Sequence, residues 1–181
     1  MKKLILLLLI PILSVGQIIK EGSRQIHLDF HTSGLIENIG ENFSKEQFKK
    51  ALKIGNVNSI NIFGKGHHGY SYYNTKIGTR HPHLKFDLLK EQIEACHEMG
   101  VTAQVYFTVG WSQKDADDHP EWILKNKNGT TNKLEILKKL GPNDRLPNFT
   151  WRLLAPSNGY DEFILKQVEE ICVNYDIDGF W

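Results

Sequence analysis

The chain alternates strand-like and helix-like segments, and this alternation constrains its fold more than any other feature. Residues 24–30 alternate apolar and polar side chains with the period of a strand. A capping box of Ser44 and Gln47 then begins a helix, which ends near Gly55. The same patterns predict strands over 57–63, 101–109 and 177–181, and helices over 86–100 and 160–175. Such alternation is typical of βαβ units on a parallel sheet.

The long irregular segments all follow predicted strands. They are residues 64–84 and 110–158, whereas the connections after helices are very short. A (β/α)8 barrel has this asymmetry, because the loops after its strands build the active site. A doubly wound sheet shares it, but its phosphate-binding glycine fingerprint opens a helix, and no helix start directly follows residues 64–69 (GKGHHG). We therefore predict an α/β fold, the N-terminal portion of a (β/α)8 barrel with about three and a half βα units.

The two ends of the sequence predict a signal peptide at the N-terminus and a truncation at the C-terminus. Lys2 and Lys3 precede a short apolar run, and small residues follow it at 14–16, which is the pattern of a secretory signal peptide. The run is shorter than the roughly 20 apolar residues of a spanning helix, although an uncleaved N-terminal anchor is the alternative. We expect residues 1–16 to be a signal peptide, 17–181 to be part of a barrel, and the protein to be periplasmic or secreted, without a membrane contact after cleavage. The chain stops at an apolar IDGFW, so we expect it to be truncated.

Charge and cysteine content add little to the functional prediction. The net charge of +1 gives no indication of a nucleic-acid partner. The two cysteines, Cys96 and Cys172, lie in predicted helices at a spacing without a disulfide signature. An exported protein could join them, but buried free thiols are the simpler expectation.

Polar side chains near the ends of the predicted strands are the candidate functional residues. His27, Asp29 and His31 share one face of the first strand by period two, and Lys65, His67 and His68 follow the second. The third strand offers Gln104, Tyr106 and Thr108 on one face, followed by Trp111. Neutral hydrogen-bonding groups beside aromatic rings suit sugar hydroxyls and the C–H face of a pyranose. Asp29 could contact the ligand, or it could be a buried carboxylate that fixes the imidazole tautomer of His31 or His67.

The histidines also raise the possibility of a metal. His67 and His68 are adjacent, and His81 and His83 are two residues apart, so neither pair matches a zinc motif. We predict no metal and no other cofactor. A metal-dependent hydrolase that uses His31 with the adjacent pair is one alternative, and a structural loop with surface histidines is another.

Several motifs resemble those of the α-L-fucosidases of glycoside hydrolase family 29 and, more closely, a related group of hypothetical glycosyl hydrolases. The motifs are HLDFHT at 27–32, KGHHGYSYYNTKIG at 65–78, HPHL at 81–84, ACHEMG at 95–100, HPEW at 119–122 and DGFW at 178–181. The tyrosine-rich motif is long and specific, whereas each short motif alone would be weak. The resemblance implies a barrel enzyme that hydrolyses glycosides with retention and has a fucosylated or related glycan as its partner.

The resemblance also implies roles for single residues. The paired histidines, a histidine after the first strand and a tryptophan in the third loop line the sugar pocket of that family. The residues predicted to bind substrate are His31, His67, His68, Tyr106, Trp111 and Trp181. Those predicted to support them are Asp29, Lys65, Tyr72 and Tyr73.

The resemblance leaves the catalytic carboxylates unassigned. The family's nucleophile is an aspartate in a W-x-D context, which would lie two positions beyond Trp181. Asp178 stands at the start of a strand, so we expect it to be structural, and we expect the isolated chain to be catalytically inert and poorly soluble. The family's aspartate after the paired histidines is replaced by Gly69, so the resemblance supports glycoside hydrolysis more strongly than fucose. The alternatives are a non-catalytic carbohydrate-binding barrel and another exo-glycosidase, such as a β-galactosidase-like enzyme.

Overall fold

Six strands form one mixed sheet in the computed structural model, which describes residues 23–131, 141, 152–157 and 159–181. The strands are β1 (Gln25–His27), β2 (Ser59–Lys65), β3 (Tyr70–Ser71), β4 (Thr79–Arg80), β5 (Thr102–Phe107) and β6 (Gly179–Phe180). The helices are α1 (Lys45–Ile54), α2 (Leu88–Glu98), α3 (Gln113–Asp118) and α4 (Tyr160–Asn174), with a 3-10 helix at Pro120–Trp122. The predicted α/β class is confirmed. The predicted signal peptide lies outside the described residues, as does much of the long segment after β5.

The sheet is parallel through its centre and antiparallel at one edge. β1 pairs with β2, β2 with β5, and β5 with β6, all in parallel. β3 instead pairs antiparallel to β2 and carries β4 beside it. The prediction that residues 64–84 form a loop without strands is therefore wrong. A tight turn at 66–69 reverses the chain, and it needs Gly69 because the backbone φ there is +86°.

The first two strands have other bounds than predicted. β1 ends at His27, and Leu28 just beyond it is exposed. Phe30 leaves the strand and packs on Tyr72, with ring centroids 4.9 Å apart. β2 begins and ends two residues later than predicted, at Lys65. Alternation of residue types persisted beyond the paired part of β1, which is why it misplaced the end of that strand.

The predicted start of α1 and its predicted end at Gly55 are both confirmed, although the left-handed residue follows one position later. The Ser44 hydroxyl accepts a hydrogen bond from the Gln47 backbone N–H, and Phe43 packs against Phe48 at a centroid distance of 5.8 Å. Gly55 keeps a right-handed conformation, and Asn56 takes the left-handed one, with φ of 49°. Asn tolerates this region better than most residues.

The helices pack on one face of the sheet. That face supplies the main core, which includes Ile60, Ile62, Ala103 and Val105 from the strands and Leu52, Leu89, Ile93, Cys96 and Ile171 from the helices. The other face carries Gln104 and Tyr106 of β5, as the alternation predicts. Thr108 lies beyond the strand and is buried, where its hydroxyl donates to the Trp111 carbonyl. One face of the central strands therefore holds the apolar core, and the other presents polar and aromatic groups.

A register shift near the end of β2 redirects one predicted site residue. Phe63 pairs with Tyr106, and Lys65 pairs with Phe107, so the chain is irregular at Gly64. Strict alternation would place Lys65 on the same face as Phe63. The shift turns Lys65 into the core instead, where its side chain is 0% exposed.

The thiols and the helix lengths bear on two further expectations. Cys96 and Cys172 are both free; Cys96 is buried, whereas Cys172 is exposed, contrary to the expectation that both are buried. Within the described residues, no helix is long and apolar enough to cross a membrane.

We predict that Gly64→Ala destabilises the fold at the register shift. A β-carbon at this position would lie 2.8 Å from a methyl group of Val105 and 3.4 Å from one of Ile171. Overpacking of this kind costs about 1–3 kcal/mol in the free energy of unfolding, which urea titration measures. Gly110→Ala is the matched control, because no described atom lies within 4 Å of its β-carbon position. Equal losses in the two variants would contradict the packing at Gly64.

Candidate functional site

A layer of polar side chains lies on the open face of the sheet, near the middle of the strands. The Gln25 amide donates to Asn61 Oδ1 at 3.1 Å and to Gln104 Oε1 at 3.0 Å. Asn61 Nδ2 lies 3.2 Å from His27 Nδ1. These groups come from β1, β2 and β5, and they satisfy one another's hydrogen bonds. They form a fixed polar base beneath the residues at the strand ends.

An aromatic layer lies above this base, toward the carboxyl ends of the strands. Phe63 stacks on Tyr106 with centroids 4.3 Å apart, and Trp181 lies 5.6 Å from Tyr106 and 4.6 Å from His27. Trp181 is held beside β5 by a hydrogen bond from its backbone N–H to the Val105 carbonyl. Because the Trp181 residue is 60% exposed, this layer offers an accessible aromatic surface.

Two stacked histidines complete the open face. The rings of His31 and His67 lie 3.8 Å apart, and the His67 backbone N–H donates to His31 Nδ1 at 2.9 Å. That acceptor role leaves the His31 proton on Nε2, which lies 2.9 Å from an Asp29 carboxylate oxygen. His67 Nε2 lies 2.6 Å from the Tyr106 hydroxyl, and its ring is 6.1 Å from that of Trp111. The segment after β1 and the segment after β2 are therefore joined through the side chains of His31 and His67.

Buried side chains hold the loop that carries His31 through hydrogen bonds to the two residues that follow it. The Tyr72 hydroxyl accepts from the Thr32 backbone N–H at 3.0 Å and shares a hydrogen bond with the Thr32 hydroxyl. His81 Nε2 donates to the Ser33 carbonyl at 2.9 Å. Tyr72 is fully buried and His81 nearly so. Tyr72 therefore supports the site from the core, and His81 belongs to the same framework.

Burial lowers the pKa of all three site histidines. It lowers the pKa of His67 to about 4, with a further decrease from the charge of His31. Burial also lowers the pKa of His31, against an opposing effect of Asp29, and that of His68, where His81 adds to the decrease. At neutral pH the imidazoles are therefore uncharged, and each uncharged ring has one donor and one acceptor nitrogen.

The structure brings most of the predicted site residues together. His31, His67, Tyr106, Trp111, Trp181 and Asp29 form one continuous group. Asp29 was expected either to contact the ligand or to be a buried carboxylate; its side chain is 71% exposed and bonds to His31. His68 lies beside this group, and its carbonyl accepts a hydrogen bond from the Lys114 backbone.

Other predicted residues lie elsewhere. Lys65 is buried in an ion pair with Asp115, on the helix side of the sheet. Tyr73 is fully buried in the main core, with its ring 5.7 Å from that of Tyr175. Asp178 lies at the opposite end of the sheet and accepts a hydrogen bond from the Ala103 backbone at 2.6 Å. The expectation that Asp178 is structural agrees with this contact.

Sequence reasoning missed several residues of the site. Asn61 and Phe63 line the open face beside His27, and the period-two pattern of β2 carried a signal for both. Asp115 had no such signal, because it stands in an irregular stretch. Among the described residues, no group of three or more His, Cys, Asp or Glu side chains is placed to hold a metal ion.

Comparison with known families decides the identity at the family level. Residues 44–181 match the model of a family described as hypothetical glycosyl hydrolase 6. This chain belongs to that family. The resemblance to fucosidase-like glycosyl hydrolases is thereby confirmed. A search of curated proteins found no match for this chain.

Solved structures add a close relative and more distant ones. α-L-Fucosidase isoenzyme 2 from Paenibacillus thiaminolyticus is 39% identical, with a TM-score of 0.76 over 87% of this chain and 22% of that one. The Thermotoga maritima α-fucosidase, solved with a mechanism-based inhibitor, is 20% identical, with a TM-score of 0.52 over 78% of this chain and 29% of that one. A hypothetical protein from Ruminiclostridium thermocellum is 15% identical, with a TM-score of 0.54 over 84% of this chain and 74% of that one. The last two show the fold alone. The present chain spans about a fifth of the length of the Paenibacillus enzyme.

We predict that His67 stays uncharged until about pH 4. Its pKa in the folded protein lies below the value of about 6.5 in an unfolded chain, so the unfolded state binds more protons between these values. The His67 contribution to the free energy of unfolding therefore falls as the pH drops from about 6.5 toward 4. Imidazole nitrogen chemical shifts measured against pH test this directly. A His67 titration midpoint near 6.5 would refute the buried, stacked arrangement.

Proposed function

We propose that this chain is the N-terminal part of the catalytic (β/α)8 barrel of a retaining, α-L-fucosidase-like glycoside hydrolase that removes terminal sugar residues from glycans. The observation that carries the proposal is the stacked pair of His31 and His67, hydrogen-bonded to Tyr106 beside the exposed ring of Trp181. The 39% identity to an α-L-fucosidase supports the same assignment. No nucleic-acid partner and no cofactor form part of the proposal.

The open face has the groups that a neutral sugar requires. Uncharged imidazoles and a phenol both donate and accept hydrogen bonds, which matches the dual character of a hydroxyl group. His31, His67 and Tyr106 present these groups within one cluster. The Trp181 ring offers an apolar plate for the C–H face of the sugar. Position and chemistry together favour a monosaccharide unit bound against the sheet.

The barrel part of the proposal rests on the strand order. β1, β2, β5 and β6 are neighbours in parallel pairs, and the stretches between them contain helices that pack on one face. The functional side chains lie at the carboxyl ends of these strands, where barrel enzymes build their sites. We also propose that residues 1–16 are a signal peptide and that the protein is exported, to the periplasm or beyond the cell.

Retaining hydrolysis needs two carboxyl groups about 5 Å apart. Asp29 bonds to His31, and Asp178 bonds to the Ala103 backbone at the other end of the sheet. We assign no nucleophile within this chain, since the family resemblance puts it two positions beyond Trp181. Neither aspartate is thus placed as one of a catalytic pair. This observation favours a second candidate function, a carbohydrate-binding barrel without catalysis.

We predict that Tyr106→Phe weakens the binding of L-fucose by the full-length gene product about fivefold, since one hydrogen bond is worth about 1 kcal/mol. The hydroxyl it removes lies 2.6 Å from His67 Nε2. Tyr175→Phe is the matched control, because it removes an equally short hydrogen bond, to Asp87 at the start of α2, beside the main core rather than on the open face. Calorimetric titration measures both dissociation constants. Equal affinities in the Tyr106 variant and the wild type would place the sugar elsewhere.

A second experiment separates hydrolysis from binding. We expect the full-length gene product to cleave an aryl α-L-fucoside and the 181-residue chain to be inert, because the proposed nucleophile is absent from the chain. A panel of aryl glycosides distinguishes a fucosidase from a β-galactosidase-like enzyme. Binding without turnover of any glycoside by the full-length product would favour the carbohydrate-binding alternative. Turnover by the 181-residue chain itself would disprove the assignment of the nucleophile.

A further inference from the structure

A lysine and an aspartate form an ion pair inside the core, behind the open face. Lys65 Nζ lies 2.5 Å from Asp115 Oδ2, and the two side chains are 0% and 3% exposed. The Ser112 hydroxyl donates to the same oxygen at 2.7 Å, and the Gln167 amide oxygen accepts from Lys65 at 3.3 Å. The pair therefore ties the end of β2 to α3 and to α4.

Stability alone does not explain this ion pair. Moving two charges out of water costs free energy, and their mutual attraction often does not offset that cost. Proteins in which an apolar pair of similar volume replaces a buried ion pair are commonly as stable. The surroundings would accept apolar side chains, since the rings of Phe107 and Phe163 lie 5.6 Å and 5.3 Å from Lys65 Nζ. What a charged, hydrogen-bonded pair adds over an apolar one is a single fixed geometry. The question is then which geometry it fixes.

The ion pair stands at the base of a close contact between two functional segments. Residues 65–69 run along residues 111–115, where the Gln113 and Lys114 backbone N–H groups donate to the carbonyls of His67 and His68 at 3.0 Å and 3.1 Å. Gly69 permits the approach, because a β-carbon there would overlap the Ser112 hydroxyl. The two segments are thus held by backbone hydrogen bonds above and by the ion pair below.

These two segments carry site residues on their exposed sides. His67 is two residues from Lys65, and Trp111 directly precedes Ser112. Their rings lie 6.1 Å apart and border the same open face. A shift of one segment along the other would separate His67 from Trp111 and from the Tyr106 hydroxyl, and misplacement by about 1 Å is enough to cost much of a site's function.

We propose that Lys65 and Asp115 are positioning residues, which set the imidazole of His67 against Trp111 and Tyr106 for sugar binding. The proposal rests on the proposed function of the open face. It assigns to Asp115, which touches no part of that face, a larger effect on ligand affinity than on stability.

The test is a double variant, Lys65→Met with Asp115→Leu, in the full-length gene product. Because an apolar pair replaces both charges, the thermal midpoint is expected to stay close to that of the wild type. The dissociation constant for L-fucose is expected to rise about tenfold or more. The imidazole titration of His67 is expected to move upward from about 4 as its ring leaves the stack. If the pair contributed to stability alone, a double variant with the wild-type thermal midpoint would show no change in either the L-fucose affinity or the His67 titration.

Two further variants make the result decisive. Ser112→Ala removes the hydroxyl that donates to the Asp115 carboxylate and that caps α3 by accepting from the Asp115 backbone N–H. It is expected to raise the dissociation constant as well, by a smaller factor. Ile93→Val, a mild truncation in the core on α2, controls for stability and is expected to leave the L-fucose affinity unchanged.

The outcomes separate the two proposals. A double variant with wild-type affinity and an unchanged His67 titration overturns the positioning role. If the double variant does not fold, an unchanged affinity in Ser112→Ala overturns it instead. If the wild-type protein does not bind L-fucose, the proposed function fails, whereas the His67 titration in the double variant still supports or overturns the positioning role.

Discussion

The register shift between Phe63 and Lys65 is the constraint on which the rest of the structure depends. Without it, strand alternation would send the lysine to the open face. With it, Lys65 enters the core and meets Asp115. The chain then turns at Gly69 and places His67 over His31. One irregular position in β2 therefore determines both the charge inside the core and the stacked imidazoles outside it.

The chemistry of the open face follows from burial. The stacked rings of His31 and His67 are partly withdrawn from water, which lowers their pKa values and keeps them uncharged near neutrality. The exposed carboxylate of Asp29 bonds to His31 Nε2 and opposes this effect only in part. Uncharged rings beside Tyr106 and Trp181 suit hydroxyl groups better than phosphates or carboxylates. Membership in a glycosyl hydrolase family agrees with this chemistry.

The sequence was most informative where a structural feature depends only on residues that are close together in the chain. The capping box at Ser44 and the apolar face of α2 predicted real helices, because both depend on neighbours along the chain. Period two placed Gln104 and Tyr106 on one face. It could not reveal the register shift at Gly64 or the pairing of β3 with β2, since both depend on contacts between segments. Asp115 was missed for the same reason, because its partner Lys65 is 50 residues away in the chain.

The central claim is that the open face at the strand ends binds a sugar. A crystal structure of the full-length gene product with L-fucose tests it most directly. The account predicts that sugar hydroxyls lie within about 2.7–3.2 Å of the polar atoms of His31 and His67, with the sugar ring packed on Trp181. Fucose bound at another surface, with no sugar atom near His31 or His67, would contradict it.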